Sequence, residues 1–410
     1  MHNIQTIAPD IIYVGASDRR LAKFENLFPI PRGVSYNSYV IVDEKTALMD
    51  TADVSVGAQF LENVAAALNG RSLDYLVVDH MEPDHAAMIE EVLLRWPGAQ
   101  IVCNAKTVPM LKAFFPGDAA AIDGALAAID GALLVKEGDT LELGKHSLSF
   151  VMAPMVHWPE VMMAFDTATG TLFSADAFGT FGALGGSLFA DEVNFERDWL
   201  DDARRYYANI VGKYGVQVQT VLKKAAGLPI QTIAPLHGPI WRKDLAWFLG
   251  KYDLWSRWQA EDNTAVVLYG SLYGNTAAAA EAVAAQLGAR GVADVKVLDL
   301  SVADVSEAVA ECWRASTIVL ASPTYNGGLY PPVAALLDDL QALGLQNRTF
   351  ALIENGSWAP MSARLMTAKL EGLKNCTVLE SKLTVRGALN PAQNGEVAAL
   401  ADAVAQAVKG

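Results

Sequence analysis

In the stretch Asp79-His80-Met81-Glu82-Pro83-Asp84-His85, the last six positions crowd together two imidazoles and two alternate carboxylates. At neutral pH such a set repels itself unless a cation sits among the side chains, and mixed nitrogen and oxygen donors suit zinc, iron or manganese. Three isolated positions offer the same donors: His157 in Met155-Val156-His157-Trp158-Pro159-Glu160, Asp176 before Ala177-Phe178-Gly179, and His237 before Gly238. Taken singly each is weak, because a His past a strand is more often a hydrogen-bonded structural residue and an Asp in such a setting a turn former. Their force is joint: His80, His85, His157 and His237 are four of the six His in the chain, and Asp176 adds a carboxylate able to bridge two cations.

These residues share one kind of mounting. Tyr75-Leu76-Val77-Val78 precedes the motif, Ser147-Leu148-Ser149-Phe150-Val151-Met152 precedes His157, Thr171-Leu172-Phe173-Ser174 precedes Asp176, and Gln231-Thr232-Ile233-Ala234-Pro235 precedes His237. Each run reads as an apolar strand, so every donor lies at a strand's C-terminal end and all can converge at one end of a sheet system. Further strands are expected at 12–15, 33–42, 46–50 and Gln100-Ile101-Val102-Cys103, with a helix from Gly57 to Leu68 closed by Asn69-Gly70 and another from near Ala86. Ala121-Ile122-Asp123-Gly124-Ala125-Leu126 recurs as Ala128-Ile129-Asp130-Gly131-Ala132-Leu133. Its Asp-Gly pairs interrupt a helix and one extra copy supports no solenoid, so a surface insertion without chemistry is expected.

Beyond Trp255 the pattern changes to a regular alternation of strand and helix. Residues 1–256 read as one domain, 257–263 as a linker and 264–410 as a second domain. The buried strand Thr264-Ala265-Val266-Val267-Leu268-Tyr269 runs through Gly270 into Ser271-Leu272-Tyr273-Gly274-Asn275-Thr276 and a helix from Ala277 to Leu287. A loop rich in hydroxyls and glycine at a helix N-terminus is an anion site, since free amides and the positive end of the dipole face one point. It holds no Lys and no G-x-G-x-x-G, which excludes a triphosphate loop and a dinucleotide fingerprint. Two later strand ends carry Pro323-Thr324-Tyr325-Asn326-Gly327-Gly328 and Asn355-Gly356-Ser357-Trp358. Glycine and an aromatic at such ends fit a doubly wound sheet, where Tyr325 and Trp358 could flank a planar ring.

Composition narrows the partners. A net charge of −15 argues against nucleic acid and anionic membrane, and 52% hydrophobic content is ample for full cores. Cys103, Cys312 and Cys376 are far apart and form no C-x-x-C pair, against a disulfide framework or thiolate metal module. The N-terminus lacks signal-peptide character and no apolar run approaches a membrane span, so a cytoplasmic setting is expected.

The order His80-x-Glu82-x-Asp84-His85, His157, Asp176, His237 resembles the metallo-β-lactamase superfamily, which implies an αββα sandwich with a two-metal site at one edge. The zinc hydrolases of that superfamily have His where this chain has Glu82, and the added oxygen donor favours a metal cycling between ferrous and ferric states. The second half resembles flavodoxin and implies FMN held by the three loops above. Together the halves resemble the flavodiiron proteins, also called A-type flavoproteins, over nearly the whole chain. The resemblance implies one iron on His80, Glu82 and His157, a second on Asp84, His85 and His237, and Asp176 bridging both; in some relatives the imidazole matching His85 is turned away.

The same resemblance implies reduction of nitric oxide to nitrous oxide, of dioxygen to water, or both, with two non-haem irons fed by FMN. It implies a head-to-tail homodimer or a dimer of dimers. With no rubredoxin-like C-x-x-C pair in the chain, it also implies an external electron donor, either a rubredoxin or a reduced deazaflavin coenzyme. Family members that carry a further His near the pocket place it where this chain has none, between His2 and His80. Tyr206 or Tyr207 could enter the pocket instead, although aromatic residues at helical spacing are commonly core. Two rival readings are a dinuclear zinc hydrolase fused to an FMN-binding module, and an electron carrier with a vestigial metal site.

Overall fold

In the computed structural model, which describes residues 2–115 and 128–409, the apolar runs singled out above form two sheets of an αββα sandwich. The first has the order Gln5–Ala8, Ile11–Tyr13, Tyr39–Val42, Thr46–Met49, Tyr75–Val77, Gln100–Cys103, Leu133–Leu134. It is antiparallel up to Thr46–Met49 and parallel from there on. The parallel strands read as continuous apolar runs because both of their faces are covered: Leu76, Val77, Ile101 and Val102 are fully buried. The second sheet runs Thr140–Glu142, Ser147–Met152, Met162–Asp166, Thr171–Phe173, Thr232–Ala234, with Phe150, Met162 and Ala164 in its core. Its last pair alone is parallel.

The third sheet is parallel, in the order Lys296–Asp299, Asp262–Tyr269, Ala315–Tyr325, Thr349–Asn355, Thr377–Val385. This is the 2-1-3-4-5 order of a flavodoxin-like sheet, which places its switch point between the first and third strands in sequence. Val267, Val319 and Ile353 pack with Val283 and Leu287 of helix Asn275–Ala289 and with Leu400 and Val404 of helix Asn394–Lys409. Contacts group Met1–Tyr206 with Val216–Leu249 in one unit, and Tyr207–Gly215 with Gly250–Gly410 in another. No helix among the described residues is long and apolar enough to cross a membrane.

Several local expectations are corrected. Helix Gly57–Leu68 ends where the sequence places it, on Asn69 and Gly70 in left-handed conformations (φ 47° and 83°). The helix expected from Ala86 starts inside the motif instead: Pro83 opens a short turn Pro83–Ala86 with its fixed φ, and the longer helix is Ile89–Arg95. Ahead of the stretch read as a linker, 257–263, a helix ends at Ser256, and the next strand begins at Asp262 rather than Thr264. Of the short duplication, 121–126 lies outside the described residues. Its second copy is not a surface insertion, because Ile129 is buried and Leu133–Leu134 pairs with Val102 and Cys103.

Leu320 is fully buried in the central strand of the third sheet, between Leu268 and Leu352. Leu320→Ala should destabilise that sheet by about 2–5 kcal/mol, seen as a lower urea midpoint by circular dichroism; an unchanged midpoint would place Leu320 outside a packed core.

Candidate metal centre and flavin pocket

The seven donors predicted from the sequence meet at the C-terminal ends of four strands. His80 and Glu82 leave Tyr75–Val77, Asp84 and His85 ride on the turn Pro83–Ala86, and His157 sits between Ser147–Met152 and Met162–Asp166. Asp176 and His237 follow Thr171–Phe173 and Thr232–Ala234. All seven are buried. They form two clusters able to hold a cation, His80-Glu82-His157-Asp176 and Asp84-His85-His237.

In the first cluster, Glu82 Oε2 lies 3.3 Å from His80 Nε2 and 3.0 Å from His157 Nε2. Asp176 Oδ2 lies 3.3 Å and 3.2 Å from the same two nitrogens. In the second cluster, Asp84 Oδ2 is 3.3 Å from His85 Nε2 and 3.2 Å from His237 Nε2. The other oxygen of Asp176, Oδ1, reaches 3.1 Å from His85 Nε2 and 3.7 Å from His237 Nε2. One carboxylate thus faces both clusters, one oxygen to each. His85 is turned inward, its Nε2 only 3.0 Å from that of His237.

The backs of the rings decide what the fronts can do. His80 Nδ1 lies 2.9 Å from Glu160 Oε1, which also accepts the Met81 amide at 2.8 Å. His237 Nδ1 lies 2.7 Å from the Ser35 carbonyl. A carbonyl or carboxylate only accepts, so Nδ1 carries a proton in each ring and, when the ring is neutral, Nε2 turns a lone pair toward carboxylate oxygens. Such an arrangement repels itself without a positive charge between the atoms. Burial opposes charge on the rings, yet the carboxylates outweigh it: His80 is raised far above the usual imidazole range by Asp176, and His157 is raised to about 9 by Asp176 and Glu82. Against the same burial, the imidazoles hold Glu82 and Asp176 far below the usual carboxylate range. Both oxygens of Asp84 lack a hydrogen-bond donor. Buried carboxylates without donors, imidazole lone pairs aimed at them and two clusters joined by one carboxylate fit a pair of divalent cations.

Sequence reasoning missed the residues that hold this loop. Asp50 Oδ1 accepts the amides of Asp79 at 2.8 Å and His80 at 3.2 Å, while the Thr51 hydroxyl donates to the His85 carbonyl at 2.7 Å. Asn37 Nδ2 donates to the Pro235 and Gly238 carbonyls at 2.9 and 2.8 Å and pins the His237 loop. The available signal was an Asp-Thr pair at the end of Thr46–Met49, read only as a strand terminus. Of the two tyrosines considered, the Tyr206 ring lies 5.5 Å from His237, whereas Tyr207 packs on Tyr252 and Trp255.

The second unit carries a cavity of about 360 Å³ at its switch point. Of the residues proposed from sequence, Ser271, Leu272, Tyr273, Asn275, Thr276, Pro323, Thr324, Asn326, Gly327, Asn355, Gly356, Ser357 and Trp358 line it. Gly274, Tyr325 and Gly328 are not among its lining residues. Gly274 takes the left-handed N-cap of helix Asn275–Ala289 (φ 90°). Tyr325 pairs with Gly328 as the loop folds back on itself, and its ring lies edge-on to Tyr330. Ala359, Met361 and Gly387, unforeseen, complete the wall; Asn355 fixes Gly387 by accepting its amide at 3.1 Å and donating to its carbonyl at 2.9 Å. The amides of Gly274 and Ala277 converge on Ser271 Oγ at 3.1 and 3.3 Å, the geometry of an anion site at a helix start.

Comparison with known proteins bears on both sites. The ODP family of beta-lactamase domains matches residues 34–238, and the flavodoxin family matches residues 267–401. The chain is 33% identical to a nitric oxide reductase of Moorella thermoacetica, covering 93% of this chain and 92% of that protein. It is 31% identical to an anaerobic nitric oxide reductase flavorubredoxin of Aeromonas hydrophila, over 85% of this chain and 69% of the relative. Among solved structures it resembles the rubredoxin oxygen:oxidoreductase of Desulfovibrio gigas (TM-score 0.89, 26% identity, 99% and 98% of the two chains). It also resembles the flavodiiron protein of Giardia intestinalis (TM-score 0.91, 25% identity, 99% and 97%).

The Glu160 contact supplies a test of the metal-centre geometry. Glu160→Ala removes the acceptor for both His80 Nδ1 and the Met81 amide, and metal affinity should fall about 10- to 100-fold by chelator competition. Unchanged affinity would show that the ring is oriented by something else.

Proposed function

This chain belongs to the flavodiiron protein family, and from that premise we propose that it is an oxidoreductase reducing nitric oxide to nitrous oxide, dioxygen to water, or both. The observation that carries the reading is the pair of clusters sharing Asp176, one oxygen toward each. His80, Glu82 and His157 would hold one iron and Asp84, His85 and His237 the other, with Asp176 between them. The loops at 271–276, 323–328 and 355–358 would hold FMN, its phosphate at the start of helix Asn275–Ala289. When bound, the iron pair supplies adjacent Lewis-acid positions and two electrons, and FMN supplies up to two more.

The chain's own part is placement. Glu160 and the Ser35 carbonyl hold the His80 and His237 tautomers with Nε2 inward, and Asp50 and Thr51 fix the backbone that carries four of the donors. Phe24, Tyr36 and Tyr206 pack their rings 5.4 to 5.8 Å from that of His237. That aromatic wall beside His237 suits a small neutral diatomic substrate. The zinc hydrolase alternative is disfavoured by Glu82, an oxygen donor at a position where the hydrolases carry imidazole, and by the reductase names of the relatives.

The finer points are also proposals. The functional division is 1–256, 257–263 and 264–410. Tyr273 and Trp358 at the flavin loops are 92% and 89% exposed, and Leu272 and Tyr325 are partly so. An apolar rim of this kind supports a head-to-tail homodimer, or a dimer of dimers, in which one chain's flavin meets another's irons. The external donor is a rubredoxin or a reduced deazaflavin coenzyme, and the setting is cytoplasmic.

Anaerobic protein with iron and FMN determined, mixed with reduced rubredoxin, should consume nitric oxide, dioxygen or both. Zinc without gas consumption would return the hydrolase reading. Glu82→Ala or Asp176→Ala should abolish iron binding and gas consumption while the flavin stays bound, and Thr276→Val should weaken FMN while iron stays. Gas consumption surviving both metal-site substitutions would refute the ligand assignment.

A further inference from the structure

Residues Lys23–Phe24 and Phe28–Pro29 pair as a small antiparallel ribbon. Its turn places two non-glycine residues, Glu25 and Asn26, in left-handed conformations with φ 50° and 56°. Both values are those of a type I′ hairpin turn, closed by the Leu27 amide donating to the Phe24 carbonyl at 2.9 Å. The ribbon is seated on the metal centre by an aromatic contact. The Phe24 ring stands edge-on to His237, 5.4 Å away at 87°, and packs on Phe181 at 5.4 Å. Fixing Phe24 on a metal-centre histidine sets the next residue beside the donors. Glu25 lies on the exposed turn, with its carboxyl beside that of Glu82 and in the electrostatic field of His157 and Asp84.

We propose that Glu25 is a further, displaceable oxygen donor of the metal centre: it closes over the Glu82 and His157 side of the iron pair and must leave before an external ligand binds there. The inference rests on the iron-pair reading above. A carboxyl held beside Glu82 in this way offers a hard cation one more oxygen donor on that side. Glu25 differs from the seven inward donors in its mounting. Those stand at strand ends in the core, whereas Glu25 is at the exposed turn of a two-stranded ribbon whose Phe24 and Phe28 rings pack on Phe181, so movement of its side chain disturbs no sheet. The exchange is redox-neutral: one carboxylate oxygen–metal bond breaks as a bond from the metal to a small anion or diatomic forms. A tethered carboxylate competes at high local concentration and lowers the apparent affinity for outside ligands in proportion to the time it is bound.

The test is azide binding to the oxidised, iron-loaded, FMN-containing protein, followed by its charge-transfer absorption after iron is measured in each preparation. Glu25→Gln and Glu25→Ala should keep the iron pair and bind azide about tenfold more tightly than the unsubstituted protein, as expected when a competitor occupying most molecules is removed. Equal azide affinity in all three proteins, with the iron pair intact, would overturn the proposal. So would loss of iron from both variants, since a displaceable donor is not needed to hold the pair. Absence of an iron pair from the unsubstituted protein would instead refute the metal reading itself, and the iron measurement separates that result from a failure confined to Glu25.

Discussion

A carboxylate buried with imidazole nitrogens on both sides is the constraint on which the first domain depends. Asp176 is wholly buried, with one oxygen turned to His80 and His157 and the other to His85 and His237. The idealised cost of moving one carboxylate from water into a low-dielectric interior is on the order of 20 kcal/mol, and several kcal/mol remain after relaxation. Glu82 and Asp84 add two more buried carboxylates. Hydrogen bonds behind His80 and His237 commit their outer nitrogens as donors, so in the neutral ring the inner nitrogen turns a lone pair to the carboxylates. Cations are what such a cluster lacks.

The sandwich exists to bring those side chains together from distant parts of the chain. Four donors follow one inner strand of the first sheet and three come from the second, which is why no short segment could make the site alone. Strain marks the same places. Asp50, Met155 and Ala175, all non-glycine residues with left-handed φ of 51°, 64° and 49°, stand beside the motif loop, the His157 loop and Asp176. The ligand loops leave their strands abruptly, and the covered sheets hold them in conformations that an isolated peptide would avoid.

Much of this was legible because chemistry and mounting coincide in the sequence. His80 to His85 follow an apolar run, and His157, Asp176 and His237 each do the same, so donor type and strand end could be read together. The flavin loops were legible for a similar reason, since glycine and aromatic residues end strands in a parallel alternation. What could not be read was contact across sequence distance. Glu160 supports His80 from 80 positions away and Ser35 supports His237 from 202; neither residue type is unusual where it stands. Tyr325 looked like a ring clamp because only its place after a strand was visible, whereas the pairing with Gly328 that folds its loop back is a tertiary fact. The helix start at Pro83 was missed because the motif was read as loop throughout, although proline at the first helical position is a start signal.

The account turns on two metals sharing Asp176, and anomalous diffraction from crystals at energies on either side of the iron edge tests that directly. It predicts two iron peaks flanking the Asp176 carboxylate, one among His80, Glu82 and His157 and one among Asp84, His85 and His237. A single peak, or scattering that appears only at the zinc edge, would contradict it.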